Sequence, residues 1–164
     1  MRDAQHIDPA ASVGRDVGMW IQQNLPAHST IALNTAGSTP FYAPQHHFID
    51  MLGLNDRHIA HRQIKKRRTW MQQFPGHGKG DGKYVLRRQP DYIILGPAQG
   101  LPANPEFVHS QHVVWFLSDQ ELAENDEFHR YYQLRKAQFH GAAGLQRTLV
   151  YYQRKATNKI PPEN

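Results

Sequence analysis

The run Tyr92, Ile93, Ile94, Leu95 is apolar at every position, opens after Pro90 and Asp91 and closes at Gly96. Successive strand residues point to opposite faces, so a strand that is apolar throughout needs cover on both sides. This segment therefore predicts a buried strand inside a sheet flanked by helices. Residues 30–33 and 48–52, the latter ended by Gly53, give two further short strands. Helical signals alternate with them. Asp8 and Pro9 read as N-cap and first helical residue, Val13, Val17, Trp20, Ile21 and Leu25 share one helical face, and Pro26 stops the run. Ser38 and Pro40 begin a short helix through Phe41 and Tyr42, and residues 83–88 predict another.

Residues 113–117 predict a further strand, with Ser118, Asp119 and Glu121 opening the helix after it. Residues 131–139 and 148–154 predict an antiparallel pair around the turn at 140–144. Helices alternating with buried strands imply parallel pairing through right-handed crossovers. The fold class expected is α/β, a three-layer sandwich with a mostly parallel sheet and a C-terminal antiparallel strand pair.

A chain of 164 residues suits one hydrophobic core. Residues 1–155 are expected to form a single soluble domain and residues 156–164 a flexible C-terminal tail. The absence of Cys excludes disulfides, thiolate nucleophiles and Cys-ligated zinc. No stretch reaches the roughly 18 to 20 apolar residues that cross a bilayer, and residues 1–9 lack the apolar core of a signal peptide. The formal charge of +5, with 11 His, favours an anionic partner without naming a reaction.

In parallel sheets ligands gather beyond the carboxyl ends of the strands, which here means the loops at 34–38, 53–58 and 96–100. That rim offers Asn34, Ser38, Asp50, Asn55, Asp56 and His58. The glycine-rich segment 76–82 adds His77, Lys79 and Asp81, with backbone N–H groups that could face a phosphate. It lacks the spacing of a P-loop, and no strand leads into its glycines. A basic run, Lys65, Lys66, Arg67 and Arg68, extends from Arg57, His58, His61 and Arg62 and ends beside Trp70. Its parts suit an anionic surface, although no recognised nucleic-acid module contains them. The pairs His46, His47 and His58, His61 lack a dependable third ligand, so neither a metal nor a cofactor is expected. Ser38 and Ser110 sit in no GxSxG turn.

The segment Ile49, Asp50, Met51, Leu52, Gly53, Leu54, Asn55, Asp56, Arg57, His58, Ile59, Ala60 resembles the soluble C-terminal region of bacterial polytopic membrane glycosyltransferases of the GT-C type, arabinofuranosyltransferase-like and mannosyltransferase-like. Shorter matches run through 17–26, 31–42, 76–82 and 88–95. The resemblance implies a multi-helix membrane portion of the same parent protein as partner, and transfer of sugar from a polyprenyl-phosphate donor at the extracytoplasmic, periplasmic face. It places the catalytic acid in that membrane portion. The domain here would be an accessory that is not catalytic alone, contacting acceptor glycan or lipid-linked phosphate. Arg57, Lys79 and residues 65–68 would then meet phosphate or anionic headgroups, with Asn34, Asp50, Asn55, Asp56, His58 and Asp81 available to sugar hydroxyls and Trp70 or Tyr42 to a sugar face.

Two other readings use the same residues. A small stand-alone hydrolase or transferase would draw on an Asp/His rim. A nucleic-acid-binding domain would use the basic run at 57–68, a partner disfavoured by the lack of a known module.

Overall fold

The computed structural model describes residues 9–98, 109–141 and 144–156, with side chains from residue 13 onward. Helix α1 (Pro9–Asn24) precedes β1 (Thr30–Leu33), α2 (Ser38–Phe41), β2 (His47–Asp50) and α3 (Arg57–His61). A 3-10 turn (Trp70–Gln73) leads to α4 (Gly82–Arg87) and β3 (Tyr92–Ile94). A second 3-10 turn (Ser110–Val113), α5 (Leu117–Ala123) and α6 (Asp126–Tyr131) precede the strands β4 (Tyr132–His140) and β5 (Gln146–Arg154). The result is a mixed α/β domain on a five-stranded sheet of order β2-β1-β3-β5-β4. Asp8 and the tail from 157 onward lie outside the described residues, as does most of the loop expected at 97–105.

The three short strands pair in parallel, β1 with β2 and with β3. Helical segments connect β1 to β2 and β2 to β3, as the alternation of signals required. Ile31 and Leu33 of β1 join Val17 and Ile21 of α1, and Ala32 joins Ile59, Val85 and Leu122. Alternate residues of one strand thus feed separate apolar clusters. The larger cluster is anchored by Phe128, fully buried, with its ring 4.5 Å from that of Tyr152.

The sheet is not mostly parallel. β5 inserts between β3 and β4 and is antiparallel to both, and the β4–β5 hairpin, with nine residues in each strand, supplies the longest ladder. The hairpin was expected at one side, but its length outweighs the parallel strands of three or four residues. The strand expected at 113–117 is absent. Residues 110–113 form the 3-10 turn, and the N–H groups of Trp115 and Phe116 bind the carboxylate of Asp119 instead of a neighbouring strand. Among the described residues, no helix is long and apolar enough to cross a membrane.

Gly14 and Gly18, one turn apart on α1, let that helix approach α2. The hydroxyl of Thr39 donates to the Gly14 carbonyl at 3.1 Å, and a Cβ on Gly18 would stand 2.5 Å from the Thr39 carbonyl oxygen and 2.9 Å from Cβ of Tyr42. A backbone atom cannot rotate away as a side chain can. Gly18→Ala is expected to destabilise the domain by about 1 to 3 kcal/mol through overpacking, although alanine favours helix. Urea unfolding checks the sign; equal or greater stability would contradict this packing.

Candidate functional site

At the carboxyl ends of the parallel strands lies a buried polar knot. Asp119, in the first turn of α5, is fully buried. One of its carboxylate oxygens accepts from the backbone N–H groups of Gly96, Trp115 and Phe116 at 2.9 to 3.1 Å, and the other from the side-chain amide of Asn34 at 2.8 Å. The same amide donates to the Gly96 carbonyl at 3.0 Å. Asn34 follows β1 and Gly96 follows β3, so one carboxylate ties two strand ends to the start of α5. Burial raises its pKa to about 6, against the pull of these hydrogen bonds.

Asp50, the last residue of β2, fixes the third strand end. Its carboxylate accepts from the N–H groups of Leu52, Gly53 and Asn55, which shapes the turn into α3. Ser118 links this end to the next loop, donating to the Met51 carbonyl and accepting from the N–H of Asp81. Gly80 and Gly82 make the approach possible: a Cβ on Gly80 would lie 2.6 Å from the Ser118 nitrogen, and one on Gly82 would lie 2.7 Å from Cβ of Glu121. The N–H of Gly82 donates to Glu121, and Lys79 reaches back to the Arg62 carbonyl at 2.7 Å. The glycine-rich segment therefore packs two helix starts together. Its N–H groups at Asp81 and Gly82 face the protein acceptors Ser118 and Glu121 and are not turned towards a phosphate.

Beside this junction an open cleft of about 640 Å³ is lined by Arg57, His58, His61, Arg62 and Asp81. Asp56 caps α3 by accepting from the N–H of Ile59, and Asp81 caps α4 by accepting from that of Tyr84. The second oxygen of Asp81 lies 3.1 Å from Nε2 of His58. A carboxylate can only accept, so Nε2 carries a proton and donates it to Asp81. The His58 ring stacks on Tyr84 at 4.0 Å between centroids, and the Tyr84 hydroxyl donates to Asp56 at 3.1 Å. Nδ1 of His61 faces the Arg57 carbonyl at 3.0 Å, which leaves Nε2 of that ring outward.

Arg62 forms the inner wall, donating to Glu121 at 2.8 Å and to the Gly80 carbonyl, with Asp81 at 3.6 Å. The bond to Glu121 pushes its pKa further up. Arg57 and His61 are exposed at the mouth. The cleft thus combines a charge neutralised within the protein, the Arg57 guanidinium open to solvent, and two imidazoles each held by one ring nitrogen. Such a set can accept an anion.

Of the residues expected on the rim, Asp56, Arg57, His58, Lys79 and Asp81 come together around this cleft. Asn34 and Asp50 are buried at the strand ends, with hydrogen bonds that hold the fold. Asn55 is exposed on the turn before α3, and Ser38 begins α2 against Gly14. His77 stacks on Phe116, away from Asp81, with its Nδ1 on the Pro75 carbonyl. Arg68 pairs with Glu124 at 2.5 Å, while Lys65, Lys66 and Arg67 are exposed. His46 is buried edge-on to Phe48, and burial lowers its pKa. Among the described residues, no three His, Cys, Asp or Glu side chains are placed to share a metal ion. Tyr84, Ser118 and Glu121 build the site without having been singled out for it; the N-cap spacing from Asp81 to Tyr84 was the available signal for the first.

A second recess, of about 480 Å³, opens at the other end of the parallel strands beside His28, Asp91 and Arg154. There Asp91 is engaged by Arg154 and by the N–H of Thr30. The nearby Lys155 donates to the His129 and Arg130 carbonyls.

Fold and site together define a mixed α/β domain with an open cationic cleft on its rim. The chain belongs to a family described as a domain of unknown function (DUF8728), whose family model matches residues 3–155. No curated protein and no solved structure matches it.

Asp119 makes the knot sensitive to pH. Its folded pKa of about 6 lies above the ordinary 3.8, so the folded state binds the proton more tightly. The strain of burying this charge is present at neutral pH and is relieved as pH falls through 6 towards 3.8. Relative to Asp119→Asn, the wild-type chain should gain up to about 3 kcal/mol between about pH 7 and about pH 4. Urea unfolding across that range measures the difference; a difference that does not vary with pH would contradict a buried ionised carboxylate.

Proposed function

We propose that this domain is an accessory module of a membrane glycosyltransferase of the GT-C type, carried at the extracytoplasmic face. In this reading it uses the α3 cleft to contact the phosphate of a polyprenyl-phosphate sugar or the acceptor glycan. The observation that carries the proposal is the cleft itself: Arg57 and His61 stand exposed at its mouth, and Asp81 orients His58 within it. An anionic oxygen would receive N–H donors from the Arg57 guanidinium there, while Asp56 and Tyr84 keep the His58 imidazole plane fixed. Sugar transfer itself is assigned to the membrane portion of the parent protein. The separate apolar clusters formed by alternate strand residues support a three-layer arrangement, which would leave the loops of one rim free to face that partner.

The stand-alone hydrolase reading has less support. Asp50 and Asp56 are engaged in turn and cap hydrogen bonds, and the His58 cleft is open to solvent.

Titration calorimetry with a short-chain polyprenyl phosphate, and with the same alcohol lacking phosphate, tests the proposal. Binding is expected to require the phosphate. Arg57→Ala with His61→Ala is expected to weaken it roughly tenfold or more, the scale of one or two charge-assisted hydrogen bonds. Equal binding of alcohol and phosphate, or indifference to the double substitution, would overturn the cleft's role.

A further inference from the structure

We propose that the exposed rings of Trp70 and Phe74, backed by the half-buried ring of Trp115, with Lys65, Lys66 and Arg67 beside them in the chain, form a docking surface for an anionic lipid bilayer. Trp70 is 58% exposed and Phe74 48%, whereas Trp20 and Trp115 are partly covered. The three rings touch: Trp70 lies 5.6 Å from Phe74 and 6.2 Å from Trp115. They form one continuous aromatic patch, drawn from two segments distant in sequence.

The patch is held in place by buried polar groups. The side chain of Gln72, 4% exposed, accepts from the N–H groups of Arg68 and Thr69 and donates to the Gly78 carbonyl, which fixes the 3-10 turn carrying Trp70. Trp115 donates its backbone N–H to Asp119 and its indole N–H to the His112 carbonyl. Little ordering is therefore needed when the rings meet a partner, which favours association.

The adjoining charges select the partner. Arg68 is matched by Glu124, whereas Lys65, Lys66 and Arg67 make no ion pair with a described carboxylate. Aromatic rings settle at the headgroup level of a bilayer, and neighbouring cations are drawn to anionic lipid. The ring geometry argues against single-stranded nucleic acid as occupant. Interplanar angles of 87° and 48° turn the rings against one another, leaving no row of parallel faces on which successive bases would stack.

This surface is separate from the α3 cleft, and it stands or falls on a different assay. The full chain is mixed with vesicles of phosphatidylcholine, or of phosphatidylcholine with about 30% phosphatidylglycerol, and sedimented while tryptophan emission is recorded. Anionic vesicles should retain the chain and shift its emission to the blue; neutral vesicles should do so far less. Lys65→Ala, Lys66→Ala and Arg67→Ala combined should weaken partitioning by on the order of a hundredfold, and Trp70→Ala with Phe74→Ala by tenfold or more. Unchanged far-UV circular dichroism verifies that these surface variants fold. Lys83→Ala with Arg87→Ala, two exposed charges on α4, should weaken it much less. No binding to anionic vesicles, equal loss from the α4 variant, or oligonucleotide binding through the same residues without vesicle binding would overturn the proposal. A chain that binds vesicles but not polyprenyl phosphate keeps this inference and loses the cleft reading.

Discussion

The carboxylate of Asp119 receives four N–H donors: the side-chain amide after β1, the backbone after β3, and two successive residues leading into α5. Few other groups could satisfy so many donors in so small a volume, because an ionised carboxylate offers about four acceptor sites and no donor. The arrangement fixes two of the three strand ends at the rim beside the α3 cleft. With no disulfide available, the junction of strand ends and helix starts is held by hydrogen bonds, apolar packing and the ion pairs of Arg62 with Glu121 and Asp81. Burying this charge carries an electrostatic penalty, visible in its raised pKa, and the hydrogen bonds offset part of it.

From that anchor the site follows in short steps. Ser118, the residue before Asp119, binds the end of β2 and the start of α4. Gly80 and Gly82 permit the close approach, and Asp81 between them caps α4 with one oxygen and orients His58 with the other. Glu121, one turn into α5, receives Arg62 and closes the inner wall. The same first turn of α5 is preceded by Trp115, so the aromatic patch and the cationic cleft share one support. Any ligand that moved α5 would be felt at both.

Local pattern made much of this fold legible. The apolar runs at β1, β2 and β3 and the stripe from Val17 to Ile21 are imposed by burial, which acts on each residue separately and leaves its period in the sequence. The balance of parallel and antiparallel pairing was not legible, because it depends on the lengths of β4 and β5 and on β5 choosing the free edge of β3. Residues 113–117 misled for a related reason: their β-rich composition is real, but the Asp119 carboxylate takes the N–H groups a neighbouring strand would have used. Within the site, the glycines of 76–82 carry no mark that distinguishes a phosphate loop from a helix contact. The difference lies in Ser118 and Glu121, more than thirty residues away in sequence. Arg57, His58 and Asp81 were legible as candidates because charged residues at a rim need partners; that His58 pairs with Asp81 and stacks on Tyr84 required the fold.

The most direct measurement is a backbone amide NMR titration of the full chain with a short-chain polyprenyl phosphate in micelles. An accessory domain that receives lipid-linked phosphate in the α3 cleft predicts shifts centred on Arg57–His61 and Asp81, with the buried strand residues Ile31 and Ile93 unmoved. Shifts confined to the opposite recess at His28 and Asp91, or none at saturating ligand, would contradict it.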